Sequence, residues 1–319
     1  MEVILQPVRA NIERAARALL DGSLIGLPTE TVYGLAADAE NETAVRRIYQ
    51  VKGRPLNHPI IVHIGKIDYL ENWAIDIPDY ARKLATRFWP GPMTLILKRT
   101  NLAKDFVTGG QDSVGIRVPK HPVTQSILNE FHKLNGKGLA APSANKFEAV
   151  SPTDAFSVID ELGKELKKNK DFVVDGGNSE IGIESTIINC LHDKPEILRK
   201  GAITKKDIES LLKTTITKDE KLPEIRFSGK LTRHYSPKAR ILVREKPKKG
   251  DGFIALSCVE TPEGCLRLAN PKSSEEFAGI LYSSFRLADH LGLARLIVIP
   301  PDGDGIELAI LERLVKASR

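Results

Sequence analysis

The sequence is poor in cysteine, and its few cysteines are not spaced for bonding to one another. Cys190, Cys258 and Cys265 are the three cysteines of the 319 residues, and they form no C-x-x-C pair. An odd number at these spacings argues against a disulfide framework and against a zinc site. We therefore expect no resident metal, and a reducing compartment such as the cytoplasm.

Long hydrophobic runs are also missing. The N-terminal segment has no basic stretch followed by an apolar run and a small-residue cleavage site, so we expect no signal peptide. No apolar stretch approaches the roughly 20 residues that a membrane span needs. With 41% hydrophobic and 28% charged residues, the composition is that of an ordinary globular protein that does not enter a membrane.

Three nucleotide-binding or catalytic signatures are absent as well. The sequence has no G-x-x-x-x-G-K-[ST], no G-x-G-x-x-G and no G-x-S-x-G. These absences argue against a P-loop NTPase, a dinucleotide-binding enzyme and an α/β-hydrolase. The formal charge of +6 and the pI near 9.1 are mildly basic, which favours an anionic ligand or partner such as a nucleotide or RNA without identifying one.

The length and the order of predicted elements indicate two domains. Single hydrophobic cores stop growing at about 250–300 residues, so 319 residues favour a division. Strands and helices alternate irregularly up to residue 212, which predicts an α+β or mixed α/β layer rather than a regular βαβ series. Residues 213–238 are polar and weakly periodic and predict a linker. Residues 239–319 again alternate strand and helix, which predicts a small, Rossmann-like α/β domain.

Helix ends can be predicted from local signals. Asn11 precedes the amphipathic pattern that ends at Leu20, so we expect Asn11 to cap the first helix. A second helix is predicted from Asn41 to Val51, with Gly53 near its end. Thr204 is the expected N-cap of a later helix.

A short basic loop, Lys52-Gly53-Arg54-Pro55, follows the second helix, and His58 lies just beyond it. A lysine and an arginine two residues apart on a proline-stiffened loop can converge on phosphate oxygens. Basic residues also suit the C-terminus of a helix, where they interact with its dipole. The spacing alone therefore leaves open both a phosphate clamp and a solvated helix end.

Two further stretches place polar groups beside predicted strands. Arg117 lies within the strand-like run Ser113–Val118, and a buried arginine demands an anionic partner. A ligand carboxylate and an internal Asp or Glu are equal alternatives for that partner. The strand that ends near Ala141 leads into a turn of small residues in which Ser143 and Asn145 can hydrogen-bond a phosphate or a ribose, although an ordinary turn would look the same.

Taken together, these stretches resemble a known family. PTETVYGL, KGRP, HPIIVHI, FWPGPMTLIL, SVGIRVP, APSAN, DGG, ESTII and ILRKGAI follow one another in this order. The ordered set resembles the YrdC-type domain of threonylcarbamoyl-AMP synthases over roughly residues 5–212. SGKLTRHYSP in the linker resembles the S-P-G-x-x-x-x-H-Y-x-P signature of the long family form, although Phe227-Ser228-Gly229 lacks the usual proline.

The resemblance implies a fold and a reaction. The implied fold is a twisted open sheet with flanking helices, followed by the small C-terminal domain. The implied reaction condenses L-threonine, bicarbonate or CO2, and ATP with Mg2+ into threonylcarbamoyl-AMP and pyrophosphate, without an organic cofactor. The product serves a downstream transferase that modifies tRNA, and a weak direct contact with tRNA stays open.

Site residues are implied by the same resemblance, position by position. Lys52 and Arg54 are the implied catalytic pair, as a clamp on the phosphates of ATP. Arg117 is expected to hold the threonine carboxylate. The implied threonine-binding positions are Thr31, His63, Arg117, Ala141 and Ser185. The implied ATP-binding positions are Lys52, Arg54, His58, Ser113, Ser143, Asn145, Ser151, Arg199 and Tyr235.

A second hypothesis remains for the same fold. A concave basic surface would also suit a non-catalytic protein that binds RNA or assists ribosome maturation. The K-x-R and S-x-N pairs favour catalysis over this alternative. Among the individual assignments, His63 could be a core histidine, Ser151 could start a helix, and Tyr235 could pack the linker rather than contact ATP.

Overall fold

The structure of the protein, a computed structural model, describes residues 3–216, 225–227, 229 and 235–318. Within this part of the chain it contains two sheets and the helices that pack on them. The strands are β1 Ile4–Leu5, β2 Ile25–Leu27, β3 Gly34–Asp38, β4 Val62–His63, β5 Met93–Lys98, β6 Ser113–Arg117, β7 Leu139–Ala140, β8 Phe172–Val174, β9 Thr186–Asn189, β10 Glu196–Arg199, β11 Arg240–Val243, β12 Gly252–Ile254, β13 Leu266–Ala269 and β14 Arg295–Val298. The helices are α1 Arg9–Leu20, α2 Glu42–Lys52, α3 Leu70–Trp73, α4 Asp79–Phe88, α5 Asp105–Thr108, α6 Pro122–Lys133, α7 Ala155–Leu162, α8 Lys205–Leu212, α9 Ser274–His290 and α10 Ile306–Ala317.

The first sheet is mixed and carries ten strands in the order β1-β8-β2-β3-β7-β4-β6-β5-β9-β10. The pairs β4–β6 and β5–β9 are parallel, whereas β5–β6, β4–β7 and β9–β10 are antiparallel. The predicted mixed α/β architecture is therefore confirmed. β7, β4 and β6 lie side by side in the sheet. Residues at the ends of these three strands are therefore close in space although they are distant in sequence.

The second sheet has four parallel strands in the order β11-β14-β12-β13. Helices α9 and α10 follow β13 and β14, so this part of the chain has the small parallel α/β architecture that its pattern predicts. The proposed domain limits of 1–212, 213–238 and 239–319 stay a prediction, and most of the linker signature, including Ser228 and Lys230–His234, lies outside the described residues.

The two parts of the chain share a hydrophobic core. Val32, Val150 and Ile183 from the first part pack into one buried cluster with Phe277 and Leu281 of α9. Tyr235 of the linker belongs to the same cluster. The C-terminal helices are therefore packed directly against the segments that flank β3 and β9.

Local sequence signals correctly predict three helix ends and fail at a fourth. Asn41 caps α2 by accepting the amide of Ala44, and Gly53 ends it with a positive φ of 64°. Thr204 caps α8 in a full capping box. The prediction that Asn11 caps α1 is wrong, because α1 begins at Arg9 and the Asn11 side chain instead donates to the carbonyl of Gln6.

The sequence reasoning missed two strands. β1 is only two residues long and forms by parallel pairing with β8. β3 lies in a stretch of small residues, Gly34-Leu35-Ala36-Ala37-Asp38, with little β propensity. Its five residues are all buried, and it pairs with β2 on one side and β7 on the other, so tertiary pairing determines it.

A buried ion pair connects α2 to the loop before β8. Arg47 Nη2 lies 2.5 Å from the Asp171 carboxylate, and the two side chains are 10% and 0% exposed. Asp171 also accepts the amides of Leu24 and Lys167. The neighbouring Arg46 makes a surface pair with Glu42.

We predict that Arg47→Met lowers the free energy of unfolding by about 3 kcal/mol, because it leaves a buried carboxylate without its cation. Arg46→Met is the matched control and should cost less than about 1 kcal/mol, since both partners are about half exposed. Urea denaturation followed by circular dichroism measures both values. Equal costs for the two variants would contradict the assignment of the Arg47 pair as a stabilising contact.

Candidate active site

A cleft that is partly open to solvent lies where the ends of β4 and β6 meet the turns after β2 and β7. The linker and the segments around β9 and β10 complete it. Its walls contain three arginines, several hydroxyl groups and small apolar residues. The lining residues are Thr29, Thr31, Val32, Gly34, Arg54, Ile61, His63, Arg117, Ala141, Pro142, Ser143, Glu184, Ser185, Arg199, Gly229 and Tyr235.

All five residues implied for threonine binding line this cleft. They are Thr31, His63, Arg117, Ala141 and Ser185. The parallel register of β4 and β6 pairs His63 with Arg117, and the β2–β3 turn places Thr31 against the same arginine. The sheet topology thus brings together side chains from widely separated parts of the sequence. Their roles toward a ligand stay predictions.

Arg117 has an internal anionic partner. Its Nη2 atom lies 2.7 Å from Glu30 Oε1, and the two side chains are 5% and 3% exposed. Nη1 donates to Thr31 Oγ1 at 2.9 Å, and Nε donates to the carbonyl of Gly91 at 3.2 Å. Of the two partners that the sequence left open, the internal carboxylate is therefore present. Arg117 nevertheless lines the cleft, so a ligand carboxylate can share this guanidinium.

His63 is a neutral imidazole in this setting. Burial and the nearby Arg117 guanidinium lower its pKa to about 3. Its Nδ1 atom is buried and has no hydrogen-bond partner in the described part of the chain. A neutral ring of this kind can donate a hydrogen bond to a polar ligand or accept one from it. It does so without adding positive charge to a cleft that already holds several cations.

Two pairs of hydroxyl groups lie at the wall of the cleft. Thr29 Oγ1 and Thr31 Oγ1 lie 2.8 Å apart, and Thr94 Oγ1 lies 2.8 Å from Ser185 Oγ. Arg199 donates to the carbonyl and hydroxyl of Ser185 at 3.0 and 3.1 Å. These contacts hold the hydroxyl oxygens in place before a ligand arrives, which is the arrangement expected of a preorganised polar site.

Four of the residues implied for ATP also line the cleft: Arg54, Ser143, Arg199 and Tyr235. Arg54 donates to the carbonyls of His58 and Pro59 and lies over the Phe147 ring. Burial and the Arg199 charge lower the pKa of Arg54 to about 10, although Tyr49 raises it. An anion between the two arginines would relieve this repulsion.

Lys52 lies behind the cleft wall rather than on it. Its ammonium donates to the carbonyl of Ser143 at 2.6 Å and also to the carbonyl of Asn145, and the residue is only 2% exposed. Burial and the Arg54 charge lower the Lys52 pKa well below its ordinary value. In this structure Lys52 fixes the turn that carries Ser143, and its contact with phosphate stays a prediction.

The other implied ATP residues lie around the cleft or away from it. Asn145 is buried and donates to the carbonyls of Lys146 and Ala149. His58 is half-buried, with its ring edge against Phe147. Ser113 lies at the end of β6 opposite Arg117 and lines a different cleft. The structure therefore does not bring Ser113 together with the rest of the predicted site.

Ser151 contacts the cleft indirectly, through Glu184. Its hydroxyl donates to Glu184 Oε1 at 2.7 Å, and Glu184 is itself a lining residue. Tyr282 donates to Glu184 Oε2 at 3.0 Å, and Arg313 donates to the same oxygen at 2.8 Å. The sequence reasoning missed Glu184 although it stands in the ESTII motif beside Ser185. No local signal marks Arg313, because an arginine in an amphipathic helix usually faces solvent.

Tyr235 is the linker residue that lines the cleft. It is 1% exposed and has a positive φ of 63°, which is unusual for a residue other than glycine. Its ring stacks on Tyr282 at a centroid distance of 5.5 Å, and the Arg313 guanidinium lies 5.4 Å from the ring centre. The linker is therefore held at the cleft by side chains of α9 and α10.

The chemistry of the cleft is that of an anion-binding site. Arg54, Arg117 and Arg199 supply three guanidinium groups, and Glu30 and Glu184 each already pair with an arginine. Within the described residues, no group of three His, Cys, Asp or Glu side chains could hold a metal ion. No helix of that same part of the chain is long and apolar enough to cross a membrane. The arrangement can bind carboxylate and phosphate groups side by side.

Comparison with known proteins agrees with this geometry. The family described as "Telomere recombination" (Sua5_yciO_yrdC) matches residues 17–201, and the family described as "Threonylcarbamoyl-AMP synthase, C-terminal domain" matches residues 203–319. The threonylcarbamoyl-AMP synthase of Pyrococcus abyssi is 33% identical over 100% of this chain and 98% of its own length. That of Bacillus subtilis is 34% identical over 96% of this chain and 92% of its own length.

A solved structure resembles the whole chain. The crystal structure of P. abyssi Sua5 complexed with L-threonine superposes with a TM-score of 0.87 at 32% identity, and the match covers 100% of this chain and 97% of the other. Both the catalytic part and the C-terminal part are therefore shared. The chain belongs to the threonylcarbamoyl-AMP synthase family, in the long form that joins a Sua5/YrdC domain to a C-terminal domain.

Proposed function

We propose that the chain is an L-threonylcarbamoyladenylate synthase, a nucleotidyltransferase. It condenses L-threonine, bicarbonate or CO2, and ATP into threonylcarbamoyl-AMP and pyrophosphate. The observation that carries the proposal is one cleft that is lined both by Arg117 and Thr31, which contact each other, and by two further guanidinium groups, those of Arg54 and Arg199. The names of the full-length relatives and the solved complex of P. abyssi Sua5 with L-threonine support the same substrate.

The chemistry needs positioning rather than an enzyme nucleophile. The threonine amine attacks CO2, forms a C–N bond and releases a proton, which gives a carbamate. A carbamate oxygen then attacks the α-phosphorus of ATP, the bond from that phosphorus to the bridging oxygen breaks, and pyrophosphate leaves. Alignment of the two reactants and neutralisation of the developing charge can drive such a transfer.

Each wall of the cleft would serve one substrate. Arg117 would bind the threonine carboxylate while Glu30 holds the guanidinium in place from the other side. Neutral His63 would approach the same amino acid without repelling its ammonium group. Arg54 and Arg199 would bind phosphate oxygens, and Lys52 would act through the turn of Ser143 and Asn145 that it holds.

Magnesium would enter as part of the substrate, bound to the phosphates of ATP. The carboxylates that line or adjoin the cleft, Glu30 and Glu184, are paired with Arg117 and Arg313 and offer no carboxylate cage. Mg2+ normally keeps several waters and binds through substrate phosphates. The adenylate would then pass to a downstream transferase that forms threonylcarbamoyladenosine at tRNA position 37, and a weak contact of this chain with tRNA belongs to the same proposal.

A direct assay tests the proposal. The purified chain is incubated with radiolabelled L-threonine, bicarbonate and MgATP, and both the labelled adenylate and the released pyrophosphate are measured. We expect threonine-dependent and bicarbonate-dependent release of pyrophosphate. RNA binding without any adenylate would instead support a non-catalytic RNA-binding protein on the same fold.

We predict that Arg117→Ala raises the KM for threonine about 10- to 100-fold and the KM for ATP much less, because one charge-assisted contact is worth about 1.5–3 kcal/mol. Arg117→Lys keeps a cation beside Glu30 and should show the same selective effect with less loss of stability. Steady-state kinetics with each substrate varied in turn measures both. Equal loss for threonine and ATP would contradict a carboxylate-binding role.

We predict the reverse selectivity for the phosphate side. Arg54→Ala should raise the KM for ATP about 10- to 100-fold, since a charge-assisted contact to phosphate is lost. Lys52→Ala should also weaken ATP use, and because it removes two buried contacts to the turn it should lower the melting temperature as well. Arg46→Ala, on the exposed face of α2, is the control. Unchanged ATP kinetics in both variants would refute the clamp.

We predict a pH dependence of stability that comes from His63. Its folded pKa of about 3 lies below the ordinary value of 6.5, so the unfolded chain binds a proton in this range and the folded chain does not. The contribution of His63 to stability should therefore fall as the pH decreases from about 6.5 toward 3. Urea denaturation at a series of pH values should show a shallower decline for His63→Asn than for the natural protein. Identical slopes would show that His63 is accessible to protons in the folded state.

A further inference from the structure

Arg313 belongs to the C-terminal domain, yet its guanidinium donates hydrogen bonds to the catalytic domain. It projects from α10 and is 0% exposed. Nε donates to Glu184 Oε2 at 2.8 Å, while Nη2 donates to the carbonyl of Lys200 at 2.9 Å and to that of Glu184 at 3.4 Å. One side chain thus joins two separate segments of the catalytic domain.

Each of these segments carries a residue of the cleft. Ser185 follows Glu184 directly, and Arg199 directly precedes Lys200. Arg199 in turn donates to the carbonyl of Ser185 at 3.0 Å and to its hydroxyl at 3.1 Å. The contacts of Arg313 are therefore made by the direct sequence neighbours of Ser185 and Arg199, the two residues that line the cleft with a hydroxyl and a guanidinium.

Glu184 is held from several elements at once. Its carboxylate pairs with Arg313 of α10 and accepts hydrogen bonds from Tyr282 of α9 and from Ser151. The charge of Arg199 also acts on it. Both carboxylate oxygens of this buried side chain therefore have partners, and these partners come from both domains.

We propose that Arg313 is a positioning residue for the reaction: by holding Glu184 and the Lys200 carbonyl, it sets the distance between Ser185 and Arg199 and so makes the C-terminal domain a part of the active site. The inference rests on the proposed function. It assigns the C-terminal domain a role in the geometry of the cleft, apart from any role in binding a partner.

A second buried arginine of the same domain provides the comparison. Arg286 of α9 is 8% exposed, pairs with Glu161 at 3.1 Å and donates to the carbonyl of Val150. It therefore makes the same kind of contact across the domains as Arg313. Neither Glu161, Val150 nor Arg286 lines the cleft. Any effect that comes only from weakened docking of the domains should appear in both arginine variants.

The test compares Arg313→Met with Arg286→Met in the full-length protein. Both should lower the melting temperature. Arg313→Met should in addition reduce kcat/KM at least about tenfold, since a misplacement of about 1 Å at a reacting centre can cost about 100-fold. Arg286→Met should keep the KM for threonine and ATP within about twofold. Equal kinetic effects of the two variants, or normal kinetics of Arg313→Met, would overturn the inference.

A pH profile supplies a readout that weakened docking would not change. Burial pushes the pKa of Glu184 upward, but Arg313 and Arg199 lower it to about 2, so Glu184 stays ionised in the natural protein. Loss of Arg313 removes the largest opposing charge, and the acid limb of the kcat/KM profile should move to higher pH in Arg313→Met. It should not move in Arg286→Met. The same acid limb in all three proteins would count against the proposal.

Milder variants cover the case in which Arg313→Met does not fold. Arg313→Lys keeps a cation, and Tyr282→Phe removes only one hydrogen-bond donor to Glu184. Both should show a smaller loss of kcat/KM in the same direction, and normal kinetics in both would overturn the inference. An active natural protein with indistinguishable Arg313 and Arg286 variants would refute this inference alone, whereas a natural protein that forms no adenylate would refute both proposals.

Discussion

The structure depends on the way in which it buries positive charge. Arg54, Arg117 and Arg199 line one cleft at 8%, 4% and 4% exposure, and isolated charges at such depth are costly. Glu30 offsets Arg117, and Glu184 lies near Arg199 and pairs with Arg313. Burial and the charge of Arg199 lower the pKa of Arg54. The cleft thus retains an unbalanced positive character that an anionic ligand would complete.

The same constraint explains the position of Lys52. A further cation on the cleft wall, beside the three arginines, would add to the repulsion, and the pKa of Lys52 is already lowered by burial and by Arg54. Its ammonium instead donates to the carbonyls of Ser143 and Asn145 and shapes the turn after β7. A K-x-R pair that looks like two equivalent phosphate ligands in the sequence is therefore divided into one lining residue and one residue that supports the wall.

The C-terminal domain takes part in the same arrangement. Tyr282 and Arg313 reach across the shared core to Glu184, and both contact the Tyr235 ring. Removal of this domain would leave a buried carboxylate without its cation and the linker tyrosine without its packing surface. The sequence pattern indicates two domains, but side chains of both domains contribute to the one site.

The sequence by itself determined the local structure and the family. Capping at Asn41 and Thr204, the αL end at Gly53 and the apolar runs of β5 and β8 depend on short-range steric and hydrogen-bonding preferences, which a sequence displays directly. The ordered motifs likewise indicated nine residues that line the cleft, five implied for threonine and four for ATP. Only the tertiary structure decided the strand β3, the pairing of Arg117 with Glu30 and the contact of Arg313 with Glu184. These depend on which distant segments meet in the sheet and between the domains, and a carboxylate in a motif does not reveal in advance which buried cation it will neutralise.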